Sequence, residues 1–148
     1  MSKLAALVLP HRVLVVDDDP RVVESLACLL EECGAVPLVA SDGVTGVALA
    51  HCEQPDAVLV DLGMPELDGV GVGQQLAALR RGQGTRLILI TGWGLEAATE
   101  AMSTGLFDAL LRKPFSAAQL VAALEPPPIS PRDSGERAGS PLRGAAVS

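Results

Sequence analysis

The sequence predicts a doubly wound α/β domain, and three observations carry that prediction. The apolar runs Val13-Leu14-Val15-Val16, Ala57-Val58-Leu59-Val60, Leu87-Ile88-Leu89-Ile90 and Ala109-Leu110-Leu111 are continuous, short and rich in leucine and β-branched residues. Such runs read as strands buried on both faces of a parallel sheet. Helix-like stretches bounded by Asp, Pro and Gly separate them. Each run also leads into a reactive side chain: Asp17-Asp18, Asp61, Thr91 and, through Arg112, Lys113. Parallel strands finish on one edge, so these groups are expected to converge in the crevice where open α/β sheets bind ligands.

Five strand-helix units follow in order. The first strand is expected over Arg12 to Asp17; Asp19 then caps a helix with Pro20 at its first position, and Val22, Val23, Leu26, Leu29 and Leu30 form its apolar stripe. Gly34 ends that helix. A second strand, Val36 to Ala40, leads to a helix from Asp42 to about Glu53, weakened by Gly43 and Gly46 and closed by Pro55. The third strand spans Ala57 to Asp61, and its helix starts after Asp68-Gly69, reaches Arg81 and is terminated by Gly82 and Gly84. Strand four, Arg86 to Thr91, precedes a helix from Leu95 to Thr104. Strand five, Phe107 to Leu111, precedes a helix from its cap Ser116 to Glu125. Right-handed crossovers place helices on both faces of the sheet. Five such units make a flavodoxin-like (βα)5 domain, with expected strand order 2-1-3-4-5.

At 148 residues, 49% apolar and 20% charged, the chain holds one domain with a real core. Its net charge of -7 argues against nucleic acid as a direct partner, because phosphate binding needs clustered Lys and Arg. Cys28, Cys33 and Cys52 form no C-x-x-C pair and fall on expected helices, which reads as buried reduced thiols in a cytoplasmic protein. The run Leu4 to Leu9 is too short to span a bilayer, and no small-residue cleavage site follows. Residues 1–11 are therefore expected to be an extension, 12–125 the domain, and 126–148, which open on Pro126-Pro127-Pro128, a disordered tail rich in Pro, Gly and Ser.

Singly, the motifs have plain structural readings. Asp17, Asp18 and Asp19 suit an acidic helix start, and for Asp19 that is the favoured reading. Asp61 could cap the turn Met64-Pro65-Glu66-Leu67-Asp68-Gly69, Thr91 could belong to a loop with Gly92 and Gly94, and Lys113 could be a surface lysine. His11 and His51 are lone histidines with solvated or capping roles.

Together they carry more. Asp17-Asp18, then Asp61 with Met64-Pro65 and Asp68-Gly69 behind it, then Thr91, then Lys113-Pro114-Phe115 closely resemble, in order and spacing, the receiver domain of bacterial two-component response regulators. The resemblance covers about residues 12 to 125. Only two of eleven basic residues are lysines, Lys3 and Lys113, so an arginine-favouring chain keeps a compact ammonium at this position. The resemblance implies that Asp61 accepts a phosphoryl group from the phosphohistidine of a histidine kinase or histidine phosphotransfer protein. It further implies that Asp17, Asp18, Asp61 and the backbone carbonyl of Gly63 hold Mg²⁺ (or Mn²⁺), directly or through water. Lys113 and Thr91 would contact phosphoryl oxygens, and phosphorylation would alter the face formed by helix four, strand five and helix five. Such a domain is a signalling phosphoacceptor with self-phosphorylation and self-dephosphorylation chemistry, not an enzyme of turnover.

This sequence departs from the family at several points. Leu110 stands where many receivers have Tyr or Phe three residues before the lysine, so an aromatic rotamer cannot be the readout. Trp93 and Gly63 occupy the positions two beyond Thr91 and Asp61 that flank the approach of hydrolytic water in the family, and are expected to set the acyl phosphate's lifetime. In the last helix Leu120, Val121 and Leu124 can face the sheet, leaving Ala118 and Ala122 outside as a homodimer or partner surface. Two other readings stand beside the receiver. In a haloacid-dehalogenase-like phosphatase Asp17-x-Asp19 would open the site, although Arg21 replaces the expected Thr or Val and no acidic pair follows Lys113. The other is an unphosphorylated scaffold with the receiver fold.

Overall fold

The computed structural model describes residues 12–64, 66–92 and 94–125; the expected extension and tail, with His11, Pro65 and Trp93, lie outside the described residues. Ten elements alternate: β1 (Arg12–Val16), α1 (Pro20–Glu32), β2 (Val36–Ala40), α2 (Gly43–Glu53), β3 (Ala57–Asp61), α3 (Gly69–Gln83), β4 (Arg86–Thr91), α4 (Leu95–Met102), β5 (Ala109–Arg112) and α5 (Ala117–Leu124). The strands form one parallel sheet in the expected order β2-β1-β3-β4-β5.

Alternation along each central strand divides the core in two. Leu14, Val16, Val58, Val60, Leu87 and Leu89 pack with Ala50 of α2, Val72 and Leu76 of α3 and Ala101 of α4. Val13, Val15, Leu59, Ile88 and Ile90 face the other way, onto Leu26 and Leu30 of α1 and Leu120 and Leu124 of α5. β1, β3 and β4 are thus buried on both faces, whereas β2 and β5, as sheet edges, are only partly covered. Leu110 packs at the margin of the α2-α3-α4 side.

Helix starts follow the expected chemistry. Asp19, Asp42, Asp68 and Ser116 accept from backbone N–H groups of α1, α2, α3 and α5, and Gln119 completes a capping box with Ser116. Stops are less regular. α3 passes Arg81 and includes Gly82, ending where Gly84 adopts a left-handed φ of 74°. α4 ends at Met102, before the expected Thr104, because the Ser103 and Thr104 hydroxyls donate to the carbonyls of Glu100 and Ala101, each at 2.6 Å, and draw the chain into a turn.

β5 begins two residues later than expected. Phe107 is buried in the core, and Asp108 precedes the ladder: its N–H donates to the Leu87 carbonyl at 2.7 Å while its carboxylate accepts from the Leu87 N–H at 2.9 Å. Arg80 clamps that carboxylate at 2.8 Å. The expectation of three buried thiols also fails. Cys33 is buried, but Cys28 and Cys52 are exposed. Cys28 lies two residues from both Leu26 and Leu30, and Cys52 two from Ala50, which places each on the solvent side of its helix.

Candidate functional site

Register brings the four reactive strand ends together. Val16 pairs with Val60, so Asp17 follows β1 beside the end of β3, where Asp61 is the last strand residue. Asp61 pairs with Ile90, which puts Thr91 one step beyond on β4. Thr91 pairs with Arg112, and Lys113 follows, its N–H donating to the Thr91 carbonyl at 2.8 Å.

The side chains meet as their backbones require. Lys113 Nζ donates to Asp17 Oδ2 at 3.1 Å and to Asp61 Oδ1 at 3.2 Å. Asp17 and Asp61 are 1% and 6% exposed, so this ammonium is the compensating charge for two carboxylates largely removed from water. Asp18 is exposed, yet carboxylate oxygens of Asp17, Asp18 and Asp61 all lie within 4.8 Å of one another. Thr91 is fully buried at the edge of this group. Asp19 serves the backbone: its own N–H donates to Asp17 Oδ1 at 2.9 Å and its carboxylate accepts from Arg21 N–H at 3.0 Å. The Arg21 N–H holds the Asp19 carboxyl below the usual range, as a capping role requires.

Crowding sets the electrostatics. Burial and then the neighbouring Asp17 charge push the Asp61 carboxyl above its ordinary pKa, although Lys113 pulls it down. Burial works against the charge on Lys113, but hydrogen bonds and attraction to Asp17 and Asp61 outweigh it and raise the ammonium's pKa. Three oxygen-donor carboxylates, two buried and one open to solvent, match the preference of a hard divalent cation such as Mg²⁺. Gly63, two residues past β3, shares with Asp18 the wall of an open groove.

The seating of the loop after β3 is not legible from local pattern. Gly43 reads as a weak helix residue, but a Cβ there would stand 2.4 Å from the Leu67 carbonyl oxygen and 3.0 Å from Val72 Cγ2. At Gly71 a Cβ would stand 2.4 Å from Leu67 Cδ1, and at Gly69 one would stand 2.7 Å from the Asp61 carbonyl oxygen. Gly43 and Gly71 therefore form a socket for Leu67, and Gly69 lets the start of α3 close on the backbone of Asp61 and Leu62. A Cβ at Gly82, by contrast, meets nothing within 4 Å. Gly43→Ala is expected to destabilise the chain by about 1–3 kcal/mol through overpacking. Gly82→Ala is expected to gain about 0.4–1 kcal/mol by restricting the unfolded chain. Urea unfolding of the pair measures both, and the two effects must have opposite signs.

A parallel sheet whose carboxyl edge holds an acidic cluster and one half-buried lysine defines a class of α/β domain suited to phosphoryl and divalent-cation chemistry. The chain belongs to the response regulator receiver domain family, whose model matches residues 13–125. It is 38% identical over 119 residues to response regulator MprA of Mycobacterium sp. (strain KMS), covering 78% of this chain and 50% of that protein. To the transcriptional activator protein PfeR of Pseudomonas aeruginosa it is 39% identical over 111 residues, covering 75% and 35% respectively. The chain thus spans half or less of the length of these curated relatives. Among solved structures, the receiver domain of sensor histidine kinase PA1611 from Pseudomonas aeruginosa, described with a magnesium ion coordinated in its active site cleft, matches with a TM-score of 0.70. That match has 27% identity and covers 78% of this chain and 94% of the other. Family membership sets the phosphatase reading aside. No helix among the described residues is long and apolar enough to cross a membrane.

Proposed function

We propose that the chain is a phosphorelay receiver in which Asp61 is the phosphoacceptor. The observation that carries this reading is the placement of Asp61 at the end of β3, largely buried, between Asp17 and the 3.2 Å contact to Lys113. An Asp61 carboxylate oxygen attacks the phosphorus of a phosphohistidine on a histidine kinase or histidine phosphotransfer protein. The P–O bond to Asp61 forms as the P–N bond breaks, and the imidazole leaves with the electron pair. Two anionic groups must approach, so negative charge is the barrier to be lowered.

Lys113 already spans Asp17 and Asp61 and meets the incoming phosphoryl oxygens with a point charge. Thr91, at the neighbouring strand end, supplies its hydroxyl to the phosphoryl group once it has arrived. Asp17, Asp18, Asp61 and the Gly63 carbonyl would hold Mg²⁺ or Mn²⁺, which when bound neutralises charge on the acid cluster and on the phosphoryl oxygens. Water attack at phosphorus releases inorganic phosphate and returns Asp61 to its carboxylate; Gly63, two residues beyond Asp61, and Trp93, two beyond Thr91 in sequence, are the residues we assign to setting its rate. The altered face is α4, β5 and α5, where Ala118 and Ala122 are exposed and offer a site for close helix contact with a partner or a second copy. Leu110 cannot act as an aromatic switch, so the response travels through the Thr91 loop and backbone. The net charge of -7 keeps nucleic acid out of the site's direct ligands, and kinase partners of this kind place the chain in the cytoplasm.

The test is the intact mass of the protein after incubation with Mg²⁺ and acetyl phosphate, beside Asp61→Asn. One phosphoryl increment, abolished by Asp61→Asn, is the expected result. Persistent absence of an increment with acetyl phosphate and with phosphohistidine donors would leave a scaffold of receiver fold.

A further inference from the structure

Beside the acid cluster lies an open groove of about 850 Å³ between α4 and the segment leading from β3 into α3. Its apolar wall includes Leu62, Val70 and Ala97, all partly exposed. Every charged residue lining it is acidic: Asp18, Asp68 and Glu100, each exposed. On the outer side of α4 a second depression, of about 820 Å³, shares Ala97 and Glu100 and adds Glu96, so the negative rim continues over the helix.

We propose that this groove docks a cationic amphipathic helix of a partner protein. Charge selects the occupant's sign, because an apolar anchor entering here must bring its flanking residues against three carboxylates. Shape selects a helix over a strand. The walls are α4, the start of α3 and the intervening loop, with no unpaired strand edge for β-addition, whereas apolar side chains at helical spacing can enter beside Ala97 while cationic neighbours reach the rim. A second copy of this chain is a poor occupant, since each copy carries a net charge of -7. The groove lies on the α4 flank that faces α3, not on the α4-β5-α5 face. Asp18 and Gly63 belong both to this groove and to the margin of the acid cluster, so its occupancy is read apart from phosphorylation.

The test uses the full chain without metal or phosphodonor, so its outcome is separable from the phosphorylation experiment. The probe is a labelled synthetic helix of about 14 residues, with leucines at helical spacing on one face and arginines elsewhere, read by fluorescence anisotropy. Saturable binding is expected. Glu100→Lys and Ala97→Arg should each weaken it at least about tenfold, whereas Glu24→Lys, the same charge change on exposed α1 across the sheet, should alter it less than about twofold. A probe with serines in place of leucines should lose binding. Circular dichroism melts confirm that the variants fold. Absence of saturable binding, equal losses for Glu24→Lys and Glu100→Lys, or undiminished binding of the serine probe would each overturn the proposal.

Discussion

Lys113→Ala is expected to cost about 2–4 kcal/mol of stability in metal-free buffer and to abolish efficient phosphoryl transfer. The magnitude follows from what the lysine leaves behind. A solvent-exposed ion pair is worth only about 0–1 kcal/mol, but Asp17 is 1% exposed and Asp61 6%, and Lys113 donates to both. Removing the ammonium strands two carboxylates that repel each other where water cannot screen them. Mg²⁺ should restore much of the lost stability, because a divalent cation among the same carboxylates supplies the missing charge. It should not restore transfer, because in the proposed mechanism the amine that meets the phosphoryl group is still gone. Urea unfolding in EDTA and in Mg²⁺, with intact mass after acetyl phosphate, reads all three effects. A cost within the range of an exposed pair would mean that the lysine is not the compensating charge. The alkaline limb follows the same logic. A lysine whose folded pKa is raised contributes stability that is complete below its unfolded value and lost as pH rises through the folded one. Wild type should therefore weaken at high pH by more than Lys113→Ala does.

Much of this site was legible because local pattern and tertiary arrangement agree. Val13 to Val16 and Ala57 to Val60 are strands by composition, and parallel pairing alone delivers Asp17 and Asp61 to one edge. Lys113 sits 52 residues from Asp61, yet β5 needs only to lie beside β4 for the contact to form. The errors fall where a side chain's partner is remote. Phe107 has a strand former's character, but Asp108 is spent on Leu87 and Arg80 before the ladder begins, so β5 starts at Ala109. Gly43 is unfavourable in a helix by propensity; its reason is a carbonyl 24 residues away, and no local window holds both. Residue type places Cys28 and Cys52 in the interior, but helical position decides their exposure.

Asp61→Asn is expected to block phosphorylation, on the proposed assignment of Asp61 as acceptor, and, in metal-free buffer near neutral pH, to be more stable than wild type. Burial and the Asp17 charge raise the Asp61 pKa despite Lys113, so the ionised form is disfavoured in the folded chain relative to the unfolded one. For a carboxyl shifted upward, the folded state binds more protons between the ordinary value of 3.8 and the raised value, and stability falls as pH rises through that interval. Above it the whole penalty is present in wild type and absent from the neutral amide. The gap between the two proteins should therefore close on acidification toward 3.8, as Asp61 is protonated. Helix caps separate cleanly from this effect. Asp19 and Asp42 have lowered pKa values, from the N–H groups of Arg21 and Thr45, so their contribution is present above the ordinary value and fades as pH falls through the lowered ones. They also remain unchanged between the two proteins. Mg²⁺ should stabilise wild type more than Asp61→Asn, since the amide removes one of three carboxylates from the cluster and binding energy adds only to the folded state. Thermal melts of both proteins across pH, with EDTA and then with Mg²⁺, make the comparison. If Asp61→Asn proves the less stable protein at neutral pH without metal, the Lys113 contact outweighs the crowding, and acidification should then narrow the difference as Asp61 is protonated and wild type loses that contact's contribution.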